Sequence, residues 1–144
     1  MIAIDTNILV YAHRRDMPAH EQARGRLDGI LSGGGMVAFC WPVVHEFLSI
    51  VTRASVFPDP TPMASAFEQM RHWLSSPRAT VLCETAGHLD VLEDLSLTGR
   101  AAGATVHDAR IAALCIEHGV QEIWSADRDF TRFPTLKVVN PLVG

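Results

Sequence analysis

Apolar positions along the chain follow two alternating rhythms. Short apolar runs at residues 1–4 and 36–40, and the mixed but apolar-centred stretches 80–83, 122–125 and 137–139, read as strands of a buried sheet. Between them apolar residues recur every three or four positions, as on one face of a helix. Such stretches lie at 8–13, after Pro18 (Ala19, Ala23, Leu27, Leu31), from Pro42 to about Thr52, at Met63–Leu74, at 88–96 and at 106–118. Pro18 reads as the first residue of its helix, and Thr61-Pro62 as the cap of the 63–74 helix. The stripe Met63, Ala66, Phe67, Met70, Trp73 and Leu74 predicts one broad buried face for that helix. Gly33-Gly34-Gly35 and Ser75-Ser76-Pro77 close two helices, and Gly119 reads as the residue just past the end of the last. Strands that alternate with helices imply a mainly parallel sheet with helices on both faces. The expectation is one α/β domain over residues 1–144, without repeats or linkers.

Composition narrows the class. The chain has 144 residues, 48% hydrophobic and 19% charged, which excludes disorder and coiled coil. A formal net charge of −4 disfavours coating nucleic acid by bulk charge, but leaves room for an enzyme that grips it locally. Cys40, Cys83 and Cys115 lie in apolar runs at spacings that match no zinc or redox pattern, and read as buried thiols in a reducing compartment. Asp5 interrupts the first apolar run, so a signal peptide is not expected, and no uncharged apolar run is long enough to span a membrane. A cytoplasmic protein is the expectation.

The chemistry is sought where open α/β sheets keep it, beyond the carboxyl ends of the strands. Asp5 directly follows the first run, and Asp127 follows EIWS after a short step. Each of them also suits a helix N-cap. Glu46 is the one charged group in WPVVHEFLSIVT, where a carboxylate needs a cation or an arginine to offset its burial. Asp108 opens the helix VHDARIAALCIEHG, and Thr105-x-x-Asp108 also reads as a capping box. His45 and His107 merely neighbour these acids. The first strand lacks a G-x-G-x-x-G, no P-loop is present, and Ser49 stands where a zincin helix needs its second histidine. Asn7 stands where a haloacid-dehalogenase-type phosphatase carries its second aspartate. Carboxylates without a thiol or imidazole cluster favour a hard cation, Mg²⁺ or Mn²⁺, and such a site suits phosphodiester hydrolysis by metal-activated water.

The runs MIAIDTNILVYAH, WPVVHEFLSIV, VHDARIAALCIEHG and IWSADRDF, in this order and across nearly the whole chain, resemble the PIN-domain ribonucleases, and among them the VapC-type toxins. The resemblance implies a three-layer α/β/α sandwich with a central mainly parallel sheet. It also implies a Mg²⁺-dependent endoribonuclease, a type II toxin whose partner is a VapB-like antitoxin, and a homodimer. Its four acids fall on Asp5, Glu46, Asp108 and Asp127, with Thr6 and Ser125 at accessory hydroxyl positions; Asp129 competes for the fourth place but is expected to be mainly structural, capping the turn before Phe130. Arg128 or Arg110 could touch the RNA backbone, but an ordinary surface role is the expectation for each. A phosphatase on a doubly wound fold, or a PIN-like fold kept only for protein binding, are the competing readings.

Overall fold

The computed structural model describes residues 1–143. Five strands alternate with helices: β1 (Ile2–Ile4), α1 (Thr6–His13), α2 (His20–Leu31), β2 (Val37–Cys40), α3 (Trp41–Val51), α4 (Met63–Leu74), β3 (Ala79–Leu82), α5 (His88–Thr98), α6 (Val106–Glu117), β4 (Glu122–Trp124) and β5 (Lys137–Val139). Short 3₁₀ turns at Gly103–Thr105 and Asp129–Arg132 complete the chain's regular structure. All strand pairs are parallel, in the order β3-β2-β1-β4-β5. The expected parallel sandwich is therefore the one observed.

The strand order dictates the layers. From β1 the chain moves outward twice in one direction, to β2 and β3, then returns to the far side of β1 to add β4 and β5. Right-handed crossovers place α1–α4 on one face and α5–α6 on the other. The helix contacts agree: α1 packs on α2 and α3, α3 on α4, and α5 on α6. Between the layers lie the fully buried Phe39, Phe47, Ile4, Leu9, Leu114 and Ile123. The direction of travel reverses between β1 and β4, and the crevice at their carboxyl ends is where such folds keep a site.

Helix ends follow local chemistry. Gly119, at φ 71°, ends α6. The Val120 N–H donates to the Cys115 carbonyl at 2.8 Å and the Gly119 N–H to that of Ile116 at 3.1 Å, the paired bonds of a Schellman motif. The Glu117 carboxylate ties α6 to the start of α5, accepting from the Thr85 N–H and hydroxyl at 3.0 and 2.7 Å and bonding His88 Nδ1 at 2.7 Å. Arg14, just past α1, donates to Asp16, the Asp59 carbonyl and Thr61 Oγ1, and stacks over Phe57. It thereby fixes the long connector before α4.

Several local expectations are corrected. Pro18 lies in the turn before α2, which begins at His20. Thr61 does not cap α4, because its hydroxyl is taken by His13 Nε2 at 2.9 Å and by Arg14. Only part of the α4 stripe is covered: Ala66, Met70 and Trp73 are buried, whereas Met63 and Phe67 are 52% and 47% exposed. Cys83 is exposed, because it lies one residue past the end of β3, while Cys40 and Cys115 are buried as expected.

Gly99, the residue after α5, faces the buried Phe133. A Cβ there would stand 2.7 Å from the Phe133 ring and 2.8 Å from the Leu95 carbonyl oxygen. Gly99→Ala is expected to destabilise the fold by about 1–3 kcal/mol, the usual cost of overpacking. Thermal unfolding followed by circular dichroism should register a drop in midpoint of several degrees, whereas Gly25→Ala, where nothing lies within 4 Å, should register none.

Candidate active site

The crevice is assembled from the end of β1 outward. Asp5 leaves β1 in extended conformation and caps α1, its Oδ1 accepting the Thr6 N–H at 2.7 Å. One oxygen of Asp5 thus serves the helix cap, and the other is left to face the end of β4. The second oxygen accepts from the hydroxyl of Ser125 at 2.7 Å, and Ser125 is fully buried at the end of β4. The same hydroxyl lies 3.3 Å from Asp127 Oδ1. One serine therefore stands between the acids of two neighbouring strands.

Asn7 completes the tie and is the residue that sequence reasoning missed. Its Nδ2 donates to Asp127 Oδ2 at 3.0 Å and to Ser125 Oγ at 3.3 Å, while its Oδ1 accepts the Ala126 N–H at 3.2 Å. In the sequence it registered only as the absence of a second aspartate. The available signal was its place in D-T-N, at the mouth of the strand whose neighbour carries S-A-D. Thr6 Oγ1 is buried and has no hydrogen-bond partner.

Glu46 and Asp108 come from opposite helical layers. Glu46 is not stranded in an apolar environment as its helix suggested: Val43, Val44, Phe47 and Val51 face the core, while Glu46 is exposed with His45 and Ser49. Asp108 is not part of a capping box either. The Thr105 hydroxyl turns back onto Ala102, accepting its N–H and donating to its carbonyl, each at 2.8 Å. Asp108 is thereby left free to face Glu46 across an open cleft of about 600 Å³, which His45, His107, Arg110 and Asp129 also line. Arg110 is held by Glu84 at 3.1 Å, and Arg128 is exposed.

Asp127 and Asp129 divide the work differently from the expectation that Asp129 caps the local turn. Asp127 Oδ1 accepts the Asp129 N–H at 3.0 Å, so the turn is held by Asp127, and the carboxylate of Asp129 is turned to the cleft. Asp127 and Glu46 both raise the pKa of Asp5, whereas Asp129, Asp127 and Glu46 raise that of Asp108. All five acids thus belong to one field. Burial above all, offset in part by the Ser125 and Thr6 hydrogen bonds, pushes Asp5 up to about 7. Burial, followed by the neighbouring acids, pushes Asp108 to about 6.

A divalent cation fits this donor set in one form and not in another. Among the described residues no three acids, histidines or cysteines stand together as a metal-ligand group, so the expected convergence of four carboxylates in one direct shell is not what the side chains adopt. Mg²⁺ keeps several waters and binds through one or two carboxylates. A cleft in which Asp5 and Asp108 are pushed toward neutrality chiefly by burial, and where Glu46, Asp127 and Asp129 stand close by, suits that hydrated mode.

The PIN domain profile matches residues 2–136. Ribonuclease VapC37 of Mycobacterium tuberculosis is 37% identical over 142 residues, spanning 98% of this chain and 97% of the relative. The chain belongs to the PIN-domain family, and within it to the VapC-type ribonucleases. Two solved structures share the fold. VapC20 of M. tuberculosis, a toxin described as cleaving the sarcin–ricin loop, superposes with a TM-score of 0.67 at 19% identity, over 91% of this chain and 93% of the other. VapBC2 of Rickettsia felis, bound to a DNA fragment from its promoter, does so with 0.67 at 20% identity, over 97% and 98%.

The raised acids give metal-free stability a defined pH dependence. Asp5 ionises near pH 3.8 when unfolded and near 7 when folded, so between these values the folded chain holds a proton that the unfolded chain has released. Its contribution to stability is complete below about 3.8 and lost as pH rises through about 7. Asp108 does the same up to about 6. His13, whose pKa is lowered chiefly by burial, acts in the opposite sense, so the informative quantity is a difference between variants. In EDTA, the midpoint of Asp5→Asn should rise relative to the parent as pH increases from 5 to 7.5. Saturating Mg²⁺ should erase most of that gain. A constant difference across the range would contradict the burial of an ionisable Asp5.

Proposed function

We propose that this chain is a Mg²⁺-dependent endoribonuclease, with Mn²⁺ able to substitute, and the toxin of a VapBC-like type II toxin–antitoxin pair in the cytoplasm. The observation that carries this reading is the pairing of Asp5 and Asp127 on one buried serine hydroxyl, at the β1/β4 switch point of a VapC-type chain. No described helix is long and apolar enough to cross a membrane.

Catalytic and metal-holding roles fall to Asp5, Glu46, Asp108 and Asp127, with Thr6 and Ser125 as accessory hydroxyls and Asp129 as a further cleft acid. A divalent cation held there would supply charge for the phosphate oxygens and acidity to water. The chain's own residues do the rest. Ser125 and Asn7 hold Asp5 and Asp127 in fixed orientation, so no reorganisation is needed when RNA arrives. Glu46 and Asp127 orient the attacking water by accepting its hydrogens. Asp108, raised to about 6 by burial and then by its acid neighbours, is still mostly ionised at neutral pH and adds an oxygen donor to the cleft. An antitoxin arginine or lysine entering the cleft would meet the same oxygens and silence them. A homodimer carrying two antitoxin chains is the proposed resting assembly. The intact acid set argues against a fold kept only for protein binding, and Asn7, used here as a strand tie, removes the second aspartate that a phosphatase would need.

Asp5→Asn should abolish Mg²⁺-dependent cleavage of RNA while leaving the fold at least as stable. The parent's products should carry 5′-phosphate and 3′-hydroxyl ends, and 2′,3′-cyclic phosphate as a first product would overturn attack by water. Asp127 and Asp129 separate by metal dependence. Asp127→Asn should lose the more activity, with the larger deficit at low Mg²⁺, because it adjoins Asp5. A larger deficit in Asp129→Asn, measured at low and saturating Mg²⁺, would transfer the fourth place to Asp129.

A further inference from the structure

One large side chain at the rim of the cleft is used by nothing in the fold. Trp41 is 42% exposed, although an indole is among the most rewarding side chains to bury. The other two tryptophans are accounted for: Trp73 is in the core, and Trp124 is half-buried with its Nε1 donating to Glu122 at 3.2 Å. Trp41 is instead the first residue of α3, directly after the end of β2, and so lies at the sheet edge where the acids gather. Its ring stacks on that of His45, with centroids 6.0 Å apart and planes 25° from parallel. His45 lines the cleft beside Glu46.

The row continues along α3 at four-residue steps. Ser49 follows His45, also lining the cleft, and Arg53 follows Ser49, donating to its hydroxyl from Nη2 at 2.6 Å. Arg53 lies just past the end of α3, and from Trp41 to Ser49 the helix rises about 12 Å. Two stacked rings, a hydroxyl and a guanidinium in line offer a π-face for a base and a cation for a phosphate, as single-strand-binding surfaces do. An interface with another protein would favour apolar neighbours around the indole. The row supplies polar ones.

Resting on the ribonuclease reading, we propose that Trp41 and His45 form a stacking subsite for one unpaired nucleobase of the RNA, next to the phosphate held at the acid cleft. The free face of Trp41 continues the stack onto the base, and the ring of His45 backs the indole from below. Because every base has a π-face, the subsite selects unpaired over paired RNA rather than one sequence.

The test is binding to intact RNA, in full-length protein carrying Asp5→Asn so that the strand survives. A short unpaired oligoribonucleotide should quench the tryptophan fluorescence, since Trp41 is the most exposed of the three indoles, and the same strand in a duplex should quench it far less. Adding Trp41→Ala should remove the quench and weaken binding by about tenfold or more, the usual loss for one stacked base. Trp41→Phe should retain most of the affinity, and His45→Ala should weaken it by a smaller factor. Unfolding midpoints report whether each variant is folded. A folded Trp41→Ala that binds the unpaired strand as tightly as its parent would overturn the subsite. So would a Trp41→Ala change in self-association, by sedimentation, with unchanged RNA affinity, because the indole would then be a contact between copies. If the protein without Asp5→Asn cleaves no RNA yet the strand still quenches Trp41, the ribonuclease reading fails and the stacking subsite stands.

Discussion

A carboxylate buried beside other carboxylates must be given donors, a proton or a cation, and Asp5 is where this molecule meets that constraint. Its position follows from the sheet: the strand that ends at Asp5 is central, and the neighbouring β4 is the one whose connection returns from the far edge. The two strand ends therefore meet where the helices of the two layers part. Ser125, wholly buried, satisfies the inner oxygen of Asp5 and approaches Asp127, and Asn7 locks the same two ends from the α1 side. Without these ties, two acids at adjacent strand ends would swing apart into solvent and give up the field that they share.

The helical layers then bring the remaining acids to that point by different means. Glu46 arrives because α3 starts immediately after β2 and turns its Val43, Val44, Phe47 and Val51 face to the core, which leaves the opposite face at the crevice. Asp108 arrives because the 3₁₀ turn before α6 satisfies itself through Thr105 and Ala102 and asks nothing of the first-turn carboxylate. The acids share one field, in which Asp5 and Asp108 are pushed toward neutrality. Cations lie at its margins, Arg110 engaged with Glu84 and Arg132 bonded to the carbonyls of Gly99 and Arg100. A phosphate backbone brought to such acids would be repelled unless a divalent ion offset their charge.

Much of the fold could be read along the chain. The five strands and six helices fall within two or three residues of their expected places, because buried parallel strands and amphipathic helices write different periods into the sequence. The family, too, was visible in four short runs. The cap on α1 at Asp5 held, but several other statements about which partner a polar group would find did not. Thr61 was expected to cap α4 and instead serves His13 and Arg14. Asp129 was expected to hold the turn that Asp127 holds. Glu46 was expected to need a partner, and is solvated.

The sequence by itself determined the order of elements, the parallel sheet and the candidacy of Asp5, Glu46, Asp108 and Asp127, because hydrophobic period and strand-end position are local properties. Only the tertiary structure decided how those acids meet. Asn7 and Ser125 are 118 residues apart, and neither carries a mark of the bond between them. Hydrogen bonds and shared electrostatic fields depend on distances that folding alone creates, and so the site's ties, its raised pKa values and the exposed stack at its rim belong to the fold.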